Sequence, residues 1–264
     1  MPSSITTIGK NAFHSCINLE TINIPNSVVL IDDNAFYDCQ SISNIVLPEG
    51  IEYIGHGAFG FCYLMKSMTI PYKIDVINPS LFQRCYSLKS VYLHDKISTI
   101  GASAFERCYS LPMINIPNSV TSMGYDVFLY CDKLASITIP SLVTTIGNEA
   151  FKGCAKLKNI YSLNETPPII EEKTFEVYHY SNSTLSVPQS SIDLYCLHPC
   201  WENFFNVNEQ GASSIEKIDL DKTPNSLQKA YQNDKVYNLN GTIVNRDSLK
   251  KGIYIKNGKK VIIK

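Results

Sequence analysis

Apolar side chains return to the same places along this chain every 23 residues. The unit reads Pro-x-Ser-Val-x-x-Ile-Gly-x-x-Ala-Phe-x-x-Cys-x-x-Leu-x-x-Ile-x-Ile and opens at Pro2, Pro25, Pro48, Pro71, His94, Pro117 and Pro140. Its last part, for example Leu19 to Ile24, alternates apolar and polar positions and predicts a strand. A second short extended piece, such as Val120 to Met123, predicts an opposite wall. Strands stacked coil on coil make a parallel sheet with about 4.8 Å per coil, so the repeats predict a rod of about 30 Å.

A period of about 20–29 residues with recurring Leu and Ile is the signature of a leucine-rich solenoid. The predicted fold is an α/β-type repeat solenoid, β-dominated. It is a right-handed leucine-rich repeat coil with a stacked parallel β-sheet, followed by a small C-terminal β module. Three columns carry structural expectations. Phe13, Phe36, Phe59, Phe82, Phe105, Phe128 and Phe151 form a buried aromatic stack. Cys16, Cys39, Cys62, Cys85, Cys108, Cys131 and Cys154 read as small buried hydrophobes, with disulfides between neighbouring coils as the alternative. Gly9, Asp32, Gly55, Asn78, Gly101, Gly124 and Gly147 predict a left-handed corner, because those residue types tolerate positive φ.

Composition divides the chain. The net charge of −1 conceals 12 Lys/Arg against 18 Asp/Glu in residues 1–208, and 11 against 6 in residues 209–264. Together with the end of the repeats, this predicts seven repeats in 1–163, a capping coil in 164–208 and a β-rich module in 209–264. The lysines of the last part are spread over strand-like segments rather than gathered in a stripe, so nucleic acid is not the expected partner. No apolar run approaches the roughly 18 residues of a membrane helix, so no membrane insertion is expected. The chain opens directly into a repeat, and the expectation is that an export signal and an N-terminal cap precede it in the native protein.

The pattern Ile-Pro-x-Ser-Val-Thr-x-Ile-Gly-x-x-Ala-Phe-x-x-Cys-x-x-Leu resembles the BspA-like leucine-rich repeats of bacterial surface proteins, through residues 2–163. Pro167-Pro168, Leu185-Ser-Val-Pro188, Tyr195 and Trp201-x-x-Phe204 resemble the capping coil that ends many such arrays, with Trp201, Phe204, Phe205 and Tyr195 expected as its bulky lid. Val236 to Gly241 and Lys250 to Lys264 are similar to C-terminal β-modules of secreted Bacteroidetes-type proteins, some of which act as sorting signals. Independently, Asn257-Gly258 between Ile253–Ile255 and Val261–Ile263 is a hairpin signal. The resemblance implies a secreted or cell-surface setting and a role in adhesion or protein binding.

No catalytic constellation stands out: there is no nucleophile elbow, Walker loop, dinucleotide fingerprint or His-Glu-x-x-His motif. The expectation is a non-enzyme with no cofactor. Cys196-Leu-His198-Pro-Cys200 offers three ligands where a structural zinc site wants four, so a local disulfide or unpaired thiols is the expected state.

Binding candidates lie where the period is not obeyed. After the Cys, three successive coils place Tyr63, Tyr86 and Tyr109; before it, Arg84 and Arg107 stand between Phe61 and Tyr130. Tyr and Arg are the residues enriched in binding hot spots. Tyr92 lies in a second candidate face, the outward column of the strand. The expected ligand is a protein partner, a host matrix or bacterial surface component, with a glycan or a ligand-free spacer role as alternatives.

Overall fold

The computed structural model describes residues 1–210 and four strands beyond them: Val236–Asn238, Ile243–Val244, Gly252–Lys256 and Lys259–Ile263. The repeats wind into a β-solenoid of stacked coils with two parallel walls. The first wall is built from two-residue strands, one per coil, from Thr7–Ile8 to Thr145–Ile146, and Ile169–Ile170 continues it. Its buried Ile or Met points inward in every coil. The second wall holds Ser67–Thr69, Ser90–Tyr92, Ser136–Ile139 and Asn159–Ser162, then Thr184–Val187 and Asn206–Glu209.

Both walls are interrupted, each at a residue that departs from the repeat. The first wall breaks between Tyr53–Ile54 and Val76–Ile77. In neighbouring coils the backbone N–H of the glycine column donates to the coil below, as Gly55 does to Ile31 and Gly101 to Ile77. At Asn78 the side chain does this instead, Nδ2 donating to Ile54 O at 2.6 Å. The inserted amide holds the coils apart, and the Phe59–Phe82 step is the widest of the aromatic stack at 6.3 Å between centroids.

The second wall breaks at Pro112. The residue after each core Leu links to the coil below through its N–H: Lys89 donates to Lys66 O, Ala135 to Pro112 O, and Lys158 to Ala135 O. Pro112 has no N–H, so that rung is missing and its coil forms no strand on this side. The first two coils also lack this strand, contrary to the uniform expectation.

The predicted left-handed corner is corrected. The glycine column does not carry positive φ; two other columns do. One runs Asn11, Asn34, Gly57, Ser80, Ser103, Asp126 and Glu149, and the other Ser15, Asp38, Phe61, Arg84, Arg107, Tyr130 and Gly153. These residues turn their N–H toward the next coil, as Phe61 does to Gln83 O and Arg107 to Leu129 O. Glycine is needed in the first column for space: a Cβ on Gly147 would stand 2.3 Å from Tyr125 N. At Gly9, with no coil below it in the described structure, nothing lies within 4 Å.

The core is the aromatic stack, near-parallel from Phe13 to Phe151 and extended by Phe175 at 4.9 Å. Beside it runs a ladder of thiols. Each from Cys39 to Cys154 donates to the carbonyl of the Phe one coil back, at 3.1–3.3 Å. None of the cysteines is disulfide-bonded, and only Cys16 is exposed. The segment after the repeats closes the end of the stack: Trp201, Tyr195 and Phe204 are fully buried, and Trp201 and Phe204 pack against Phe175, whereas Phe205, expected in the same lid, is 65% exposed. Trp201 Nε1 donates to Pro168 O at 2.7 Å, and Tyr195 Oη lies 2.6 Å from Ser162 Oγ. Past residue 210, Gly252–Lys256 and Lys259–Ile263 pair antiparallel, as the hairpin signal predicts.

Candidate functional site

The coil corner around each Cys brings five of the six predicted site residues together. Tyr63, Tyr86 and Tyr109 stack face to face at 4.6 and 5.0 Å, with the first pair within 1° of parallel. One-coil spacing is close to the thickness of two stacked rings, so the solenoid itself sets the stack. The row is longer than the sequence suggests. His14 stacks on Tyr37 at 5.1 Å, Tyr37 meets Phe61 at 4.7 Å, and Phe61 meets Tyr63 at 6.1 Å. Six rings from five successive coils thus form one continuous row. Tyr37 was missed because it reaches Phe61 across columns, over Gly60, where a Cβ would stand 3.0 Å from its ring. The absence of a side chain at Gly60 was the available signal.

The two arginines sit in the same column but point apart. The Arg107 guanidinium lies over the Tyr130 ring at 4.7 Å, and its Nη1 donates to Tyr109 Oη at 3.0 Å. Its Nε donates to Glu106 Oε1 at 3.3 Å, and Gln83 holds the other oxygen of that buried carboxylate at 2.6 Å. The hydrogen bond that Arg107 donates to Tyr109, outweighing burial, leads the effects that push the Arg107 pKa further up. Glu106 is a second residue that sequence reasoning missed.

Arg84 turns the other way, over Phe61 at 4.9 Å. Its Nε is buried without a hydrogen-bond partner, and no ion pair holds its guanidinium among the described residues. Phe61, Arg84, Arg107 and Tyr130 all have φ near +60°, a conformation that large L side chains seldom adopt. Strain of this kind costs about 1–3 kcal/mol per residue and clusters at functional sites.

Tyr92 is not part of this face. It stands 63% exposed at the end of Ser90–Tyr92, beside a shallow groove also lined by Tyr72, Asp95 and Asn115. There His94 replaces the repeat's proline; its Nε2 donates to Pro71 O at 2.9 Å, and Tyr72 packs on its ring. Cys196 and Cys200 lie in the closing segment, with His198 Nδ1 donating to Pro199 O at 3.1 Å. Among the described residues, no three His, Cys, Asp or Glu side chains gather to hold a metal. No helix among them is long and apolar enough to cross a membrane.

The stacked coils, the Phe and Cys ladders and the closing segment define a leucine-rich repeat solenoid. The chain belongs to the BspA type leucine rich repeat region family, whose model matches residues 1–112 and 98–226 in six copies. It is similar to a leucine-rich repeat protein of Bacteroides ovatus of known crystal structure, at 26% identity and TM-score 0.59. That match covers 80% of this chain and 60% of the other. A leucine-rich repeat protein of Eubacterium ventriosum is also 26% identical, with TM-score 0.53, over 58% of this chain and 41% of that one. A leucine-rich cell surface protein of Faecalibacterium prausnitzii matches at 20% identity and TM-score 0.41, over 80% and 84%. This chain therefore spans less than two thirds of the length of each of the first two relatives. No curated protein matches it.

Proposed function

We propose that the chain is a non-enzymatic interaction module, secreted or held at the cell surface. In this reading the face formed by Tyr63, Tyr86, Tyr109, Arg84 and Arg107 binds a protein partner, a host matrix or bacterial surface component. The observation that carries this is Arg84: a guanidinium laid on an aromatic ring, without hydrogen bond or ion pair, beside a row of phenols. Such a group is prepared to receive a carboxylate or a carbonyl from a partner. Stacking also favours a protein over a glycan. Sugars bind aromatic faces, and here the tyrosine faces are turned to one another, leaving hydroxyls and ring edges to the outside.

The same reading takes residues 1–163, 164–208 and 209–264 as repeat array, capping coil and separate module. It is supported by the burial of Trp201, Tyr195 and Phe204 over the last coil and by the change of charge after residue 208.

The test is surface plasmon resonance of the chain and its Tyr86→Ala/Arg107→Ala variant against matrix proteins and bacterial surface extracts. Saturable binding that falls at least tenfold in the variant, with the melting temperature held within a few degrees, is expected. Unchanged binding with lowered stability would mean that the face only braces the rod. No saturable binding to any probe would favour a spacer.

A further inference from the structure

A second cavity, separate from the ring row, opens where the last repeat meets the closing segment. It is a half-open cleft of about 920 Å³, a size suited to a small ligand or a few side chains. Its walls are aromatic: Phe175 and Phe204 lie behind, with Tyr178 and Tyr180 on the short helix Val177–Asn182. Neither buried phenol oxygen has a hydrogen-bond partner, and Tyr180 is 8% exposed. Asn203 stands beside Tyr180 Oη, close enough to favour its ionised form but outside hydrogen-bond geometry. Both phenol oxygens are closed off from solvent as well, so the helix offers the cleft ring surface rather than hydroxyl groups.

Charge selects the class of that group. The lining residues include four carboxylates, Glu149, Glu172, Glu176 and Glu202, against Lys152 and Lys173. The Lys152 ammonium is already held by Glu149 at 2.8 Å. Glu176 is fixed as an acceptor by the Gly153 N–H at 2.8 Å and by the N–H of His179 in the capping box. Burial first, then Cys200 and Glu172, push the Tyr180 phenol up to about 12, so it stays neutral and able to donate or accept. An anion would meet this rim unfavourably, and a plain apolar group would leave its negative charge uncompensated. A guanidinium suits both features: its flat face can lie on the rings, and its N–H groups can reach the rim carboxylates.

We propose that the cleft receives an arginine side chain from a basic peptide segment of a protein partner, at a site distinct from the tyrosine–arginine face. The probe is a short acetylated, amidated peptide with two central arginines, titrated into the full chain and followed by NMR and calorimetry. Saturable binding is expected for this peptide, at least fivefold weaker for the dilysine version and absent for the diglutamate version. Glu172→Gln should weaken it at least threefold and Glu172→Lys at least tenfold, while Glu165→Gln, outside the cleft, leaves it unchanged. Glu172 is exposed, so both variants should melt within a few degrees of the parent, which separates lost binding from lost folding. No saturation by the arginine peptide, equal affinity for diglutamate, or affinity indifferent to both cleft variants would overturn the proposal.

Discussion

The carbonyls of Phe13, Phe36, Phe82, Phe105 and Phe128 in the stack each accept two hydrogen bonds, from the Cys N–H of their own coil and from the thiol of the next. Phe36 O, for example, lies 3.2 Å from Cys39 N and 3.3 Å from Cys62 Sγ. Burial pushes the Cys39 thiol up to about 12, and it also raises Cys62, Cys108 and Cys131 well above the ordinary thiol value. A thiol held protonated and packed away is a poor nucleophile. Iodoacetamide applied to the native chain should therefore modify Cys16 and spare Cys39 to Cys154 until denaturant is added, as read by mass spectrometry. Rapid native labelling of Cys85 or Cys108 would contradict this. Space rather than backbone angle makes a second residue-level claim: Gly147→Ala should destabilise by about 1–3 kcal/mol through overlap with Tyr125, and Gly9→Ala by less than about 0.5. Equal effects in denaturant titrations would refute it. The sequence supports two causes for a Gly/Asn/Asp column, and the wrong one is the more familiar. The left-handed columns were hidden because they include Phe61, Arg84, Arg107 and Tyr130, whose side chains argue against that conformation.

At the scale of an element, the departures from the repeat decide where ladders stop. A proline in a strand position is legible as a break, and Pro112 marks one. The wedge at Asn78 was not legible, because asparagine in that column is equally compatible with a backbone bond. Pro112→Ala restores a donor opposite Lys89 O. The added bond, about 0.5–1.5 kcal/mol, is offset by about 0.4–1 kcal/mol of chain entropy that proline removes from the unfolded state. Stability should hardly move, while amide exchange across residues 112–116 slows at least tenfold; unchanged exchange would sink this account. In the closing segment, helix Val177–Asn182 depends on His179, whose Nδ1 accepts from Glu176 N at 3.1 Å and whose Nε2 donates to Cys154 O at 3.1 Å. Burial, ahead of all else, lowers its pKa below the usual value near 6.5. A folded-state pKa below the unfolded one gives stability that is complete above about pH 6.5 and is lost as pH falls through the folded value. Melts followed by the single tryptophan, Trp201, should drop between pH 7.5 and 5.0, and drop less in His179→Gln. An identical loss in that variant would place the acid sensitivity elsewhere.

For the whole molecule, the period of 23 residues specifies a rod in which each coil meets only its neighbours, and it needs closing at its ends. That much was legible: the Phe and Cys columns, the two walls, and the bulky residues Tyr195, Trp201 and Phe204 of the closing segment. The candidate face was half legible. Column positions brought Tyr63, Tyr86, Tyr109, Arg84 and Arg107 together, but contacts between columns, such as Tyr37 on Phe61 or Arg107 on Glu106, cannot be read from a one-dimensional period. Tyr92 belongs to another face for the same reason. The central claim is that the repeat builds the rod and that its departures bind. It is tested most directly by one variant carrying Tyr63→Ala, Tyr86→Ala, Tyr109→Ala, Arg84→Gly and Arg107→Gly. These changes return both columns to the residues that Ala155 and Gly153 already show the fold accepts. Measured against whichever surface protein the parent binds, the variant should keep the parent's circular dichroism spectrum and lose at least a hundredfold in affinity. Undiminished binding by a folded variant would contradict the claim.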